Sequence, residues 1–238
     1  MRDDLLLSEL HAHTTWSDGA LSTRELVDLY GSRGFDVLAI TDHTVRLDDP
    51  MPSSVDRWTW PGYARCVRKE AERAAHEHGL LVLLGLELTE NHADPDLSAH
   101  ALALGLAEFV SIEAGLTAAL EEARDGGTAV VAAHPSSSED PLPRRPTRRF
   151  HRDRETLSRL VHRHELFNRH ETFAWVAEER LPPLATGDFH RTDHLPSWKT
   201  LLRCEKDEQA VVDCLRSRAR VYLTPYAIDE RVPWPLAA

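Results

Sequence analysis

Histidines and carboxylates recur where the short apolar runs of this chain end. The first group is His11-Ala12-His13, which follows the run 5–10. Residues two apart in an extended segment point the same way. The two imidazoles can therefore chelate one ion, or they are two polar residues at a strand end. Asp18 follows in Ser17-Asp18-Gly19, which alone reads as a turn. Thr41-Asp42-His43 closes the next run. Glu87 lies inside Gly85-Leu86-Glu87-Leu88, where a carboxylate is costly to bury unless it is paired or holds a cation. His100 opens another run and His134 ends one, while Asp188 and His190 again stand two apart. Nine candidate ligands, six His with Asp18, Glu87 and Asp188, thus lie at or beside expected strand ends. The other eight of the 14 histidines, among them His76, His78, His162 and His164, fall in expected helices or loops and read as surface or core polar groups. His92, close to Glu87, competes with His100 for its role.

The elements that must position these residues follow from the apolar patterning. Strands are expected at 5–10, 36–41, 80–88, 99–106, 128–133, 165–167, 184–186, 200–203 and 221–223. Helices are expected at 22–33, 63–78, 111–125, 153–163, 171–180 and 207–218. Ser22 and Glu25 have capping-box spacing, Gly34 and Gly79 are stop signals, and Ser111 is an N-cap candidate. About seven β-α units in 238 residues suggest one α/β domain over 1–238 with a mainly parallel sheet. A small or irregular barrel is favoured over an open sheet. In either form functional residues gather at the C-terminal ends of the strands.

Composition excludes several classes. The formal net charge of −11 argues against stable nucleic-acid binding, which needs a basic face. Cys66, Cys204 and Cys214 form no CxxC pair, so neither a disulfide framework nor a thiolate metal site is expected. No run of 18 apolar residues could span a membrane. The opening Met1-Arg2-Asp3-Asp4 is too acidic for a signal peptide, which leads to a cytoplasmic expectation.

The ordered motifs HAHTTWSDG (from His11), ITDHT (around His43), GLEL (around Glu87), AHP (at His134) and GDFH (Asp188 to His190) resemble the PHP family, named for polymerase and histidinol phosphatase. The resemblance implies a distorted, TIM-like (β/α)7 barrel with two to three divalent ions. One ion would take His11, His13, Glu87 and Asp188. A second would share Glu87 and take His100 and His134, and a third would use Asp18, His43 and His190. Glu165 and Asn168, in ELFN, match a family strand end expected to support the ligands.

Nitrogen and oxygen donors suit Mn, Zn or Fe, and spacing does not choose between them. A water activated between two ions bridged by Glu87 would attack a small phosphate monoester, such as a nucleotide or metabolite phosphate. Glu87, Asp188, His190 and Arg191 are the expected catalytic set. Arg191, beside His190, could fork onto phosphate oxygens. The arginine-rich stretch 143–154, with Arg144, Arg145 and Arg148, is either a basic lid over an anionic substrate or a solvated loop. Trp58 and Trp60 either stack on a base or pack their loop. Alternatives are a phosphodiesterase or short-oligonucleotide exonuclease, an amidohydrolase-type C–N hydrolase, and a non-catalytic metal-binding domain. The C–N reading commonly needs a bridging Lys on a middle strand, and Lys69, Lys199 and Lys206 end none.

Overall fold

The computed structural model describes residues 5–140 and 147–227. Among them, in chain order, are β1 (Leu6–Glu9), α1 (Thr23–Ser32), β2 (Val37–Ile40), β3 (His43–Thr44), α2 (Trp60–His78), β4 (Leu81–Glu90), β5 (Ala99–Leu104), α3 (Leu116–Asp125), β6 (Ala129–Ala133), α4 (Arg149–Arg152), α5 (Arg154–Leu157), β7 (Arg163–Asn168), β8 (Glu171–Thr172), α6 (Ala174–Glu178), β9 (Pro183–Thr186), β10 (Trp198–Leu202), α7 (Glu208–Arg216) and β11 (Tyr222–Pro225). The strands form one sheet in the order β11-β10-β1-β2-β4-β5-β6-β7-β8, with β3 beside β4 and β9 beside β7. The sheet curls until its ligand-bearing ends meet. Phe189, just past β9, bridges Ala12, just past β1. There His13 N–H donates to the Phe189 carbonyl (2.8 Å) and Phe189 N–H to the His11 carbonyl (3.0 Å).

The architecture is a mixed α/β fold around a curled sheet, less regular than the mainly parallel pattern expected. β1, β2, β4 run parallel, as do β6, β7 and β9, but β5 is antiparallel to both β4 and β6. Residues 91–98 return the chain directly from β4 to β5, with no crossover helix, and a direct return forces the antiparallel sense. The consequence is functional: β5 begins at the edge where its neighbours end. His100 therefore pairs in register with Thr89 and Ala133, beside Glu87 and His134.

Alternation along the strands divides the core. Val37 and Ala39 face a cluster closed by Val211, Val212 and Leu215 of α7, whereas Leu38 and Ile40 face Leu26, Tyr30, Tyr63 and Val67 of α1 and α2. β4 is buried along almost its whole length, as a central strand covered on both faces must be. The capping box of Ser22 and Glu25 opens α1 as expected, and Pro61 opens α2.

Three expected helices are shorter. The helix expected at 111–125 begins at Leu116, after Gly115 at φ 90°, a conformation that ends any helical run-in. Ser111 instead turns locally, its hydroxyl accepting from Glu113 N–H. Asp153, outside helical dihedrals, splits the 149–157 segment into α4 and α5. The stretch expected as one helix at 171–180 contains β8 and the single short helix α6. His164 lies in β7, buried, rather than in a helix or loop.

Arg163, at the start of β7, is fully buried. Its guanidinium donates to the carbonyls of Leu215 (2.9 Å), Cys214 (3.1 Å), Ser217 (3.0 Å) and Ala219 (2.7 Å). It thus satisfies carbonyls of the last turn of α7 and of the residues that follow it. Arg163→Met removes the donor to the buried Leu215 carbonyl and three further bonds, and should cost about 1–3 kcal/mol, read from denaturant midpoints; an unchanged midpoint would show that α7 docks without this cap.

Burial pushes the His164 imidazole down to about 4. Its folded pKa lies below the unfolded value of 6.5, so the unfolded chain takes up the proton first. The stability this neutral histidine allows is complete above about pH 6.5 and is lost as pH falls toward 4. His164→Gln should flatten the fall in melting temperature between pH 7 and pH 4.5. An equally steep fall would assign the dependence to other groups.

Candidate metal centre

The wholly buried carboxylate of Glu87 is the point on which the strand ends converge. Its Oε2 lies 3.2 Å from His11 Nε2, 3.2 Å from His13 Nε2 and 3.0 Å from His43 Nδ1. Its Oε1 lies 2.9 Å from His100 Nδ1 and 3.1 Å from His134 Nε2. Asp188 Oδ1 stands 3.5 Å from both His11 Nε2 and His13 Nε2, and 3.3 Å from His190 Nδ1. Asp18 Oδ1 closes the far side, 3.5 Å from His43 Nε2 and 3.2 Å from His190 Nε2. All nine candidate ligands from the sequence therefore meet.

Within the cluster three groups have donor atoms within 4.8 Å of one another: His13, Asp18, His43 and His190; His11, His13 and Asp188; and His43, Glu87 and His100. The residues fit divalent cations. His11 Nε2, His13 Nε2 and Glu87 Oε2 are buried, face one another and have no hydrogen-bond partner. Buried polar atoms are rarely left so, and a cation shared among them would remove the penalty. The donor set is nitrogen and oxygen only, as hard or borderline divalent ions prefer.

Charge in the cluster is strongly organised. Burial opposes ionisation of Glu87, but His43, His11 and His100 override it and hold the carboxyl well below its usual range. Asp188 behaves likewise, with His11, His13, His190 and Arg169 outweighing its burial. For His11 burial disfavours the cation, yet Asp188, Glu87 and Glu165 raise its pKa well above the ordinary value. For His100 burial wins over Glu87, and its pKa falls to about 4. It is thus neutral at pH 7, the form that ligates a metal.

Supporting residues fix the rings. Glu165, buried in β7, accepts from His11 Nδ1 (2.9 Å), Thr186 Oγ1 (2.6 Å), the His134 backbone N–H (2.6 Å) and Asn168 Nδ2 (2.8 Å). This matches the supporting role expected for Glu165 and Asn168. Asp42 holds the Asp18 turn, accepting from Thr14 N–H (2.8 Å), Thr14 Oγ1 (2.8 Å) and Ser17 Oγ (2.7 Å). Gly19 is needed in that turn, because a Cβ there would lie 2.3 Å from the His13 carbonyl oxygen. Beneath the site, Glu9 Oε1 accepts from the N–H groups of Leu10 (3.1 Å), His11 (3.2 Å) and Gly187 (2.8 Å). Its Oε2 meets Lys199 Nζ at 2.6 Å and Tyr30 OH at 3.1 Å. One buried carboxylate thereby ties the strand of His11 and His13 to that of Asp188 and His190.

Sequence reasoning missed Arg169 and Lys199. Arg169 Nη2 lies 3.0 Å from Asp188 Oδ2 and 3.0 Å from His190 Nδ1, and it also donates to the Asp188 carbonyl (2.8 Å). Arg169, His134 and Asp188 all have positive φ, at 51°, 31° and 42°, and such strain in non-glycine residues concentrates at functional sites. Arg191, expected to fork onto phosphate oxygens, makes no hydrogen bond or ion pair with the side chains of the nine candidate ligands among the described residues. In extended backbone beside His190 it points the other way, is exposed, and pairs with Asp193 (2.7 Å). Arg148 follows Thr147, whose hydroxyl donates to the His134 carbonyl (2.6 Å); its backbone N–H donates to the Pro95 carbonyl, and its neighbours Arg149 and Arg152 line a separate cavity. Arg144 and Arg145 lie outside the described residues. His92 is exposed, with its Nδ1 accepting from Asp94 N–H (3.0 Å), so His100 is the inward residue. Trp60 packs on Tyr63 and Phe109, while Trp58 is exposed.

The family model of the PHP domain matches residues 9–174, and the chain belongs to that family. A 36-residue stretch is 50% identical to the DNA polymerase/3'-5' exonuclease PolX of Bacillus subtilis (strain 168), covering 15% of this chain and 6% of that protein. Among solved structures, the fold is similar to that of a two-domain protein from Bacteroides vulgatus ATCC 8482, named as containing a predicted PHP-like metal-dependent phosphoesterase. The TM-score is 0.68 at 20% identity, over 94% of this chain and 66% of that one. A candidate metal-dependent phosphoesterase from Bifidobacterium adolescentis ATCC 15703 matches with TM-score 0.51 at 17% identity, over 77% of this chain and 87% of that one. An amidohydrolase from Chromobacterium violaceum, solved with bound sulfate and no metal, matches with TM-score 0.53 at 16% identity over the same shares. No helix among the described residues is long and apolar enough to cross a membrane.

Because Glu165 orients His11 and the His134 backbone at once, Glu165→Gln should weaken metal binding about tenfold to a hundredfold. Competition against a chelator measures this. Unchanged affinity would make Glu165 a packing residue only.

Proposed function

We propose that this chain is a metal-dependent phosphoesterase that hydrolyses a small phosphate monoester at the strand-end cluster, as one unit over 1–238. The observation that carries the reading is the buried Glu87 carboxylate placed between five imidazoles. Its two oxygens divide those rings into two sets, as a carboxylate shared by two cations would. His11, His13 and Asp188 would complete one position, His100 and His134 a second, and Asp18, His43 and His190 a third. Divalent ions held there, Mn, Zn or Fe, would supply activation of water and stabilise charge on the phosphoryl oxygens.

The chain's own residues have separable tasks. The carboxylates of Glu87 and Asp188 stay ionised and the His100 ring neutral, so these three donors are ready to ligate, whereas His11, its pKa raised by Asp188, Glu87 and Glu165, would give up a proton as a cation binds. Glu165 fixes the ring of His11 through Nδ1, leaving Nε2 toward Glu87. Arg169 secures Asp188 by both side chain and carbonyl, and its charge lies on the flank where an anionic substrate would approach. Arginine there suits phosphate oxygens by its planar fork. Lys199 is committed to Glu9 below the site, which removes it as a bridging ligand for C–N hydrolysis.

The test is phosphate release by the protein loaded with Mn²⁺, Zn²⁺ or Fe²⁺, against small monoesters, a phosphodiester and a short oligonucleotide. Release from monoesters, and loss of roughly 100-fold or more in Glu87→Gln together with metal, is the expected result. Cleavage of the diester or oligonucleotide alone would replace the monoester reading, and full activity in Glu87→Gln would refute the shared-carboxylate assignment.

A further inference from the structure

A cavity of about 760 Å³ opens beside the cluster, between the end of β4, the loop after β3 and α4. Asn91 is common to both. Its Oδ1 lies 3.1 Å from His100 Nε2, and its Nδ2 donates to Asp49 Oδ2 at 3.0 Å on the cavity wall. The space is therefore one side chain away from a candidate ligand, and it is far larger than a phosphoryl group needs.

Its lining chemistry is specific. Three guanidinium groups, from Arg46, Arg149 and Arg152, face three carboxylates, from Asp48, Asp49 and Glu90. Each arginine is already engaged: Arg46 with Asp48 (3.0 Å), Arg149 with Glu90, and Arg152 with Asp153 (2.5 Å). A second phosphate would have to pull arginines from their partners and sit among carboxylates. Charged ends of a zwitterion would compete with the same pairs. Among the described residues no Trp, Tyr or Phe lines the cavity; its one ring is the imidazole of His92, with Nδ1 held by Asp94 N–H (3.0 Å), so a nucleobase would find only that small ring to stack on. The exposed Trp58 lines a different, much smaller pocket. Hydroxyl groups meet none of these objections, since each both donates and accepts and can join an existing carboxylate–guanidinium pair without breaking it.

We propose that this cavity binds the leaving group of the substrate and selects an uncharged, hydroxyl-rich one, the polyol or sugar portion of a phosphate monoester. The inference rests on the phosphoesterase reading above for its orientation, but the cavity's preference can be measured apart from catalysis. Ala93 lies exposed on the wall, and Ala93→Trp projects a large ring into the space without altering a candidate ligand.

Two measurements test it on the full chain. The first compares phosphate release by the Mn²⁺-loaded protein from sorbitol 6-phosphate, AMP, fructose 1,6-bisphosphate and phenyl phosphate. The second follows binding of sorbitol 6-phosphate to the metal-free protein by saturation-transfer NMR, in wild type and Ala93→Trp. The expected result is highest kcat/KM for the polyol ester, a tenfold or greater fall in its preference over phenyl phosphate in Ala93→Trp, and loss of the NMR signal in that variant. Preference for AMP or the bisphosphate, or an unchanged selectivity ratio in Ala93→Trp, would overturn the proposal. If no ester is hydrolysed while the polyol phosphate still binds and Ala93→Trp abolishes binding, the cavity assignment stands and the phosphoesterase reading fails. If neither hydrolysis nor binding occurs, both fail.

Discussion

A carboxylate with no access to solvent, ringed by five imidazoles, sets the terms for the rest of this molecule. Desolvating Glu87 is unfavourable, and the neighbouring His43, His11 and His100 keep it ionised nonetheless. That balance holds only if the rings arrive from four different strand ends with angstrom accuracy. The curl of the sheet provides this. β1 delivers two histidines at one rim, β3, β5 and β6 deliver one each, and β4 delivers the carboxylate between them. The reversed direction of β5 is part of the same solution, since only an antiparallel strand can present its first residues where its neighbours present their last.

The rim is held from below. Glu9 joins the backbone of His11 to that of Gly187 and is itself neutralised by Lys199. A Cβ on Gly187 would lie 2.3 Å from the Glu9 carboxylate and 2.4 Å from Lys199 Nζ, so that position requires glycine for close approach. A buried ion pair of this kind adds little net stability by itself, but removing one partner leaves an uncompensated charge at a cost of about 3–5 kcal/mol. The pair therefore enforces one register between the first ligand strand and the last. Above it, Glu165 and Arg169 lock individual side chains, and the left-handed backbone at His134, Arg169 and Asp188 shows strain accepted where ligands must be aimed.

The ligands were legible in the sequence because each is a local feature: two residues two apart at a strand end, or a lone charge in an apolar run. What surrounds them was not. Arg191 was adjacent in sequence to a ligand, yet alternation in extended backbone turns it outward. Arg169 reaches Asp188 and His190 only because β7 and β9 lie side by side, a fact no local pattern carries. Glu9 and Lys199 are far apart in the chain, and neither stands out alone. Strand existence was readable from apolar runs, but strand direction was not, so β5 was misjudged. Helix ends at Gly115 and Asp153 depended on backbone dihedrals that propensity did not reveal. The class read from ordered motifs agrees with the family match over residues 9–174, whereas the cavity beside His100 arises from three separated segments.

The central claim is that the strand-end cluster is a multinuclear metal centre. Its most direct test is a metal count by elemental analysis on the purified chain, loaded with Mn²⁺, Zn²⁺ or Fe²⁺ and dialysed free of excess. Two to three tightly held ions per chain is the predicted result; retention of none, under loading conditions that leave the fold intact, would contradict it.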